Sequence, residues 1–209
     1  RVKIVSNYGV GYNNIDVDAA KQNGVVVTNT PDVLTEDTAD LALTLMLVVA
    51  RRVGEGEREV RSGKWTGWRP THMLATRVNG KTLGLIGIGR IGRAVARRAH
   101  HGFGMHVLYH DPYPLSDAEA AAIGAERRDS IEAVLAESDF VSLHCPATPE
   151  TRHLMNAARF AQMRKGAMLI NTARGDVVNE RDLIEALRAG TIAGAGLDVF
   201  EQEPAVPNA

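Results

Sequence analysis

Apolar positions along this chain switch between two periods, and the switching lays out an alternation of strands and helices. Short unbroken apolar runs predict buried strands over 83–88, 105–109, 140–144, 167–170 and 192–199. Between them the apolar residues fall at helical spacing, as at Ile91, Ala94, Val95 and Ala99, and predict helices over 90–101, 117–122, 130–136, 157–163 and 180–189. Upstream, strands over 2–6 and 25–28 flank a short helix over 16–22. A helix from residue 36 carries Ala39, Leu41, Ala42, Leu45, Met46 and Val49 nearly all round it, so burial on several sides is expected. Arg51 and Arg52 fall near its end, where cations suit the helix dipole. Residues 54–79 are charged at first and then rich in Gly, Trp and Pro, which reads as an exposed segment. Trp65 and Trp68 within it suit either packing or the wall of a cleft.

Alternation of this length implies an α/β fold with a doubly wound parallel sheet. In such sheets ligands sit beyond the carboxyl ends of the strands, so the loops after Ile86, Tyr109, His144, Ile170 and Leu197 should share one crevice. The division expected is 1–35 as one unit, 36–53 as a connecting helix and 54–209 as the main α/β unit. The chain opens directly in a strand-like run and stops at Pro207-Asn208-Ala209, and this suggests an internal portion of a longer protein.

Composition narrows the partners. The chain has 209 residues, 44% of them hydrophobic, enough for a substantial core. Its 24 Lys and Arg against 25 Asp and Glu leave a net charge of -1, which gives no electrostatic reason to expect nucleic acid or an acidic membrane. The most apolar stretch, 39–50, is interrupted by Asp40 and Thr44 and is too short for a span of roughly 20 residues. The single cysteine, Cys145, excludes an internal disulfide framework and suits a reducing cytoplasm. No metal site is expected.

Candidate chemistry gathers at the loops. Gly87-Ile88-Gly89-Arg90-Ile91-Gly92 follows a predicted strand and opens a predicted helix. In a dinucleotide site the first glycine permits the tight turn, the second lets the backbone approach a pyrophosphate, and the third lets helix and strand pack closely. The helix start, with Arg90 and Ile91, then offers N–H groups and a positive dipole end. Asp111 follows the next strand at about the 20-residue separation where such sites carry an acid for the ribose hydroxyls. Its charge would repel a 2′-phosphate, and 112–118 contain no Arg or Lys to neutralise one, so NAD is favoured over NADP. Arg174 stands just past a strand end, where its guanidinium fork suits a carboxylate as well as it suits a surface salt bridge. Past the last strand, Asp198 could reach a nicotinamide amide, and a later glutamate could orient an acid–base histidine. In the first unit, Gly9-Val10-Gly11 is compatible with an anion-holding backbone nest or with a plain turn.

The motifs Gly9-Val10-Gly11-Tyr12-Asn13-Asn14-Ile15-Asp16, Thr30-Pro31-Asp32-Val33-Leu34-Thr35, 80–92, His144-Cys145-Pro146, Asn171-Thr172-Ala173-Arg174-Gly175 and Gly196-Leu197-Asp198-Val199-Phe200 resemble, in order and over nearly the whole chain, the D-isomer-specific 2-hydroxyacid dehydrogenases. Residues 7–12 and 65–70 look most like the glyoxylate and hydroxypyruvate reductases of that family. The resemblance implies a Rossmann-type NAD domain, the tail of a flavodoxin-like substrate domain over 1–35, a homodimer, and hydride transfer between nicotinamide and C2 of a small 2-oxo acid. It implies that the Val10 and Gly11 amides and Arg174 hold substrate. Thr38, His144, Cys145, Thr151, Thr172, Ala173 and Asp198 match positions lining the cofactor, and Glu203, not Glu201, matches the family's glutamate. One departure stands out: the family's acid–base histidine follows that glutamate, and no histidine here follows His153. It is expected beyond Ala209. A phosphoglycerate dehydrogenase and an NAD-sensing corepressor-like binding protein are the alternatives.

Overall fold

The computed structural model describes residues 1–12 and 14–204. The first unit is a two-stranded parallel sheet of β1 (Ile4–Ser6) and β2 (Val26–Thr28), joined through α1 (Val17–Gln22). Asp16 caps α1 by accepting the Ala19 N–H at 2.8 Å.

The second unit opens with α2 (Thr35–Ala50) and α3 (Val53–Arg61) and continues as β3 (Thr82–Ile86), α4 (Arg90–Phe103), β4 (His106–His110), α5 (Asp117–Ala122), β5 (Ala125–Arg127), α6 (Ile131–Glu137), β6 (Phe140–Leu143), α7 (Ala157–Phe160), β7 (Met168–Asn171), α8 (Glu180–Arg188) and β8 (Gly194–Leu197). Its six strands are all parallel and lie in the order β5-β4-β3-β6-β7-β8. Strand order reverses between β3 and β6, the switch point at which doubly wound sheets open a crevice. Alternate residues of each strand feed two cores. Leu83, Leu85, Val107, Tyr109 and Ile170 pack with Ala39, Met46, Val95 and Ala99 of α2 and α4. Ile86, Val141, Leu143 and Leu169 pack on the other face with Val134, Leu135, Phe160 and Leu183. Period-two alternation in strands wrapped on both sides produces this division. Arg98 of α4 fastens α2 further by donating to Glu36 and to Asp40.

Three features depart from the pattern-based expectation. First, α2 closes at Ala50 with Arg51 as its C-cap, a cation near the helix end as expected, but Arg52 does not continue it. Arg52 instead takes the left-handed conformation (φ 56°, ψ 35°) that separates α2 from α3, and its guanidinium pairs with Glu55 at 2.6 Å and reaches the Leu74 carbonyl. Second, 54–79 is not wholly irregular, because α3 occupies its start. Gly54 and Gly56 lower the helical signal, and the helix buries no residue; Arg52–Glu55 and Glu57–Arg61 pairs at helical spacing accompany it. Third, β5 forms the sheet edge although only Ala125 of its three residues is buried, too little apolar pattern to announce a strand. No helix among the described residues is long and apolar enough to cross a membrane.

Candidate functional site

Strand register places the candidate residues side by side. His110, Ile86, Leu143, Asn171 and Leu197 are successive partners across β4, β3, β6, β7 and β8. The residues that follow them, Asp111, Gly87, His144, Thr172 and Asp198, therefore form one row along the carboxyl edge of the sheet. Backbone bonds carry the alignment past the strand ends: Gly87 N–H to His110 carbonyl at 2.9 Å, His144 to Ile86 at 2.8 Å, and Asp198 to Asn171 at 3.0 Å.

At the centre of the row Gly87 has φ +97°, and a Cβ there would stand 2.7 Å from the His144 carbonyl carbon. A Cβ on Gly92 would be 2.5 Å from the Gly87 carbonyl oxygen. The turn is therefore closed by backbone against backbone. Gly89 differs, because a Cβ there would meet nothing within 4 Å. It opens α4 with no side-chain cap, and the Gly89, Arg90 and Ile91 N–H groups donate to nothing among the described residues, an arrangement suited to phosphate. Asp111 buttresses the turn, accepting the Ile88 N–H at 2.8 Å with one carboxylate oxygen and the Tyr113 N–H at 2.7 Å with the other. Each oxygen keeps a lone-pair site for a further donor. Arg90 has its guanidinium on Asp32, pairing the helix start with the first unit.

Burial lowers the His144 imidazole to about 4, and its Nε2 shares a 2.9 Å hydrogen bond with Ser142 Oγ. Burial likewise raises the Cys145 thiol to about 11, with Asp111 adding to the shift, so the thiol stays protonated. Thr172 Oγ1 is buried yet has no hydrogen-bond partner among the described residues, a condition that costs free energy unless a ligand or water supplies the bond. Thr151 has its hydroxyl engaged within its own loop, donating to the Pro146 carbonyl at 2.6 Å. Thr38 is half-buried in the first turn of α2.

The right-hand end of the row is held by side chains. Asn171, fully buried, accepts the Ala173 N–H at 3.0 Å and donates to the Arg174 carbonyl at 2.9 Å. Arg174 donates to the Ala173 carbonyl at 2.7 Å and makes no ion pair among the described residues. Gly175 lies against Phe200 so closely that a Cβ would collide with the Phe200 carbonyl. This contact presses the arginine loop onto the segment that carries Glu203, whose carboxylate accepts the Phe200 N–H at 2.8 Å. A cleft of about 430 Å³ opens there, lined by Arg174, Glu203, Glu201, Phe200, Ala147 and Asn14 among others. Among the described residues of the first unit, Asn14 reaches its wall; Val10 and Gly11 do not line it. Their carbonyls accept amide donors from Asn29 and Asn7, while their own N–H groups donate to nothing among the described residues.

Sequence reasoning missed His153, which pairs with Glu201 at 2.7 Å across 48 positions. No local pattern announces a contact of that separation. Among the described residues no three His, Cys, Asp or Glu side chains gather as a metal site would require.

Residues 43–209 match the family model described as D-isomer specific 2-hydroxyacid dehydrogenase, NAD binding domain. A glyoxylate reductase of Korarchaeum cryptofilum is 53% identical over 209 residues, covering 100% of this chain and 62% of that protein. One from Thermococcus litoralis is 51% identical over 208 residues, covering 98% and 62%. Among solved structures, a glyoxylate reductase from Paecilomyes thermophila superposes with TM-score 0.88 at 40% identity, over 98% of this chain and 60% of that one. A D-lactate dehydrogenase from Aquifex aeolicus, complexed with NAD and lactic acid, gives 0.87 at 37% identity, over 96% and 59%. The chain thus spans about 62% of the length of the curated relatives it matches.

Proposed function

Because the chain belongs to the D-isomer-specific 2-hydroxyacid dehydrogenase family and carries its NAD binding domain, we propose that the protein reduces a small 2-oxo acid, glyoxylate or hydroxypyruvate, to the 2-hydroxy acid with NADH. One observation carries this reading beyond the family. Arg174 lies on the wall of the cleft at the ligand-facing edge with no carboxylate partner among the described residues, and the part of its planar fork not given to the Ala173 carbonyl fits a substrate carboxylate and its neighbouring carbonyl.

The chain's residues suit the cofactor. Uncapped N–H groups at Gly89, Arg90 and Ile91 would hold the pyrophosphate, with Gly87 and Gly92 keeping the turn closed. Asp111 would accept the ribose hydroxyls and repel a 2′-phosphate, which favours NAD over NADP. Thr172, with its unpartnered hydroxyl, and Ala173, His144, Cys145, Thr151, Thr38 and Asp198 would line the nicotinamide half. When bound, NADH supplies the hydride at C4 of its nicotinamide. Arg174 fixes the acceptor carbon in reach of it, and the Val10 and Gly11 amides are free to hold the carboxylate if the first unit closes on the cleft. Protonation of the developing alkoxide calls for an acid–base histidine, whose charged form Glu203 would stabilise. On this reading residues 1–35 belong to a substrate domain, 36–53 connect it, and 54–209 form the cofactor domain.

The test is NADH oxidation by the full-length protein with a panel of 2-oxo acids. Glyoxylate or hydroxypyruvate should be reduced, NADPH should serve poorly, and Arg174→Lys should lower kcat/KM by about 100-fold, since a point charge cannot replace the fork. Tight NAD binding without turnover of any 2-oxo acid would sink the enzymatic reading in favour of an NAD-sensing binding protein.

A homodimer and a cytoplasmic location belong to the same proposal. Val53, Val60, Trp65, Trp68 and Leu74 are exposed on and after α3, an apolar surface suited to self-association, and the single Cys145 is unpaired. Sedimentation of Trp68→Glu should show the dimer weakened; an unchanged dimer would remove α3 and its sequel from the interface.

A further inference from the structure

Two loops must agree in position for Arg174 and Glu203 to face one substrate, and one side chain outside both loops joins them. His153 donates its backbone N–H to the Asp176 carbonyl at 2.8 Å, at the end of the arginine loop. Its ring Nε2 lies 2.7 Å from Glu201 Oε1, two residues before Glu203. A carboxylate oxygen accepts, so Nε2 carries the proton and donates, whatever the state of Nδ1. His153 does not line the cleft, whereas Glu201 does, so the ring stands behind the carboxylate.

The surroundings make this a brace with several anchors. Met155, two residues on, bridges Val178 in parallel pairing and donates to the Val177 carbonyl, which ties the His153 segment to the arginine loop. Glu180, buried at the start of α8, accepts the Glu201 N–H. His153 itself sits at φ 49°, in the left-handed region that a histidine adopts at a cost. That conformation is the one that lets its N–H and its ring serve two different loops.

We propose that His153 is a positioning residue for the oxidoreductase reaction: paired with Glu201, it holds the Glu203 segment at a set place relative to Arg174. The inference rests on the reading of Arg174 and Glu203 given above.

The test compares His153→Asn with His153→Gln in the full-length protein. Asparagine suits the left-handed backbone but is too short to reach Glu201, whereas glutamine restores an amide donor at nearly the right reach. The expected result for His153→Asn is a fall in kcat of about 10-fold with glyoxylate, an unchanged Kd for NADH, and recovery of most of the loss in His153→Gln. Amide exchange over 199–203, followed in the same samples, should quicken in His153→Asn and return in His153→Gln. Wild-type turnover with unchanged exchange in His153→Asn would overturn the proposal, as would a loss shared equally by NADH binding. If the wild-type protein reduces no 2-oxo acid, the functional reading fails, and the exchange rates alone decide whether the brace exists.

Discussion

Around Gly87 the chain is held by backbone pressing on backbone, whereas around Arg174 it is held by side chains reaching for backbone. The glycine turn has no adjustable part: φ +97° and a 2.7 Å approach to the His144 carbonyl carbon leave room for hydrogen alone. The arginine loop is set by Asn171 from within, by the Gly175–Phe200 contact from the side, and by His153 and Glu180 through the neighbouring segment. The difference corresponds to the two tasks. On the proposed function, a pyrophosphate has the same shape in every reaction and would be served by fixed N–H groups, while the groups proposed to meet the reacting carbon could be shifted by changing residues that never touch it.

Substitutions can break this comparison, and the largest effect is expected at the turn. Gly87→Ala must move the backbone of His144 and Cys145 or leave the left-handed region, at a cost of about 3 kcal/mol or more in denaturant unfolding. A cost below about 1 kcal/mol would show that the turn yields and is not closed by sterics. Next comes Asn171→Ala, which leaves the Ala173 N–H and the Arg174 carbonyl without their buried partner; about 1–3 kcal/mol of stability should be lost. Turnover should fall with it while NADH affinity changes less, because the loop displaced is the arginine's.

A pH effect of similar or smaller size belongs to the middle of the row. His144 is held near 4 when folded, below the roughly 6.5 of an unfolded chain, so the unfolded state binds the extra proton. Stability contributed by its neutral ring is present above about pH 6.5 and is lost as pH falls toward 4, amounting to about 1–3 kcal/mol. Unfolding curves of His144→Gln should lack that portion of the acid loss; an identical pH profile would mean that the ring is hydrated. The smallest change in stability is expected for Gly89→Ala, within about 0.5 kcal/mol, since φ there is -64° and nothing lies within 4 Å of the added methyl. NADH binding should nevertheless weaken by about 10-fold or more, which separates the glycine that faces ligand from those that close the turn.

Much of the fold was legible in the chain because buried parallel strands write long apolar runs and their helices write a different period. That signal located five of the six strands from β3 to β8 and missed the edge strand β5, whose single buried Ala125 leaves almost no trace. It passed over α3 for the same reason, as that helix buries nothing and contains two glycines. Arg51 caps the end of α2 where its position predicts, but the left-handed turn at Arg52 comes with an ion pair to Glu55 and a reach to Leu74, contacts invisible to periodicity. At the site, Gly87, Gly89, Gly92, Asp111 and Arg174 stood out because each follows directly on a strand.

What the sequence determined by itself was the order of strands and helices, the residues at each strand end, and through its motifs the family. A periodic pattern and a strand-end residue are local, so neighbouring positions suffice to read them. Tertiary structure alone decided that Asp111, Gly87, His144, Thr172 and Asp198 share one edge, because strand order and register join residues far apart in the chain. It alone also brought His153 to Glu201 and left Thr172 Oγ1 buried without a partner among the described residues, since hydrogen bonding across 48 positions and the burial of one hydroxyl depend on the whole packed sheet.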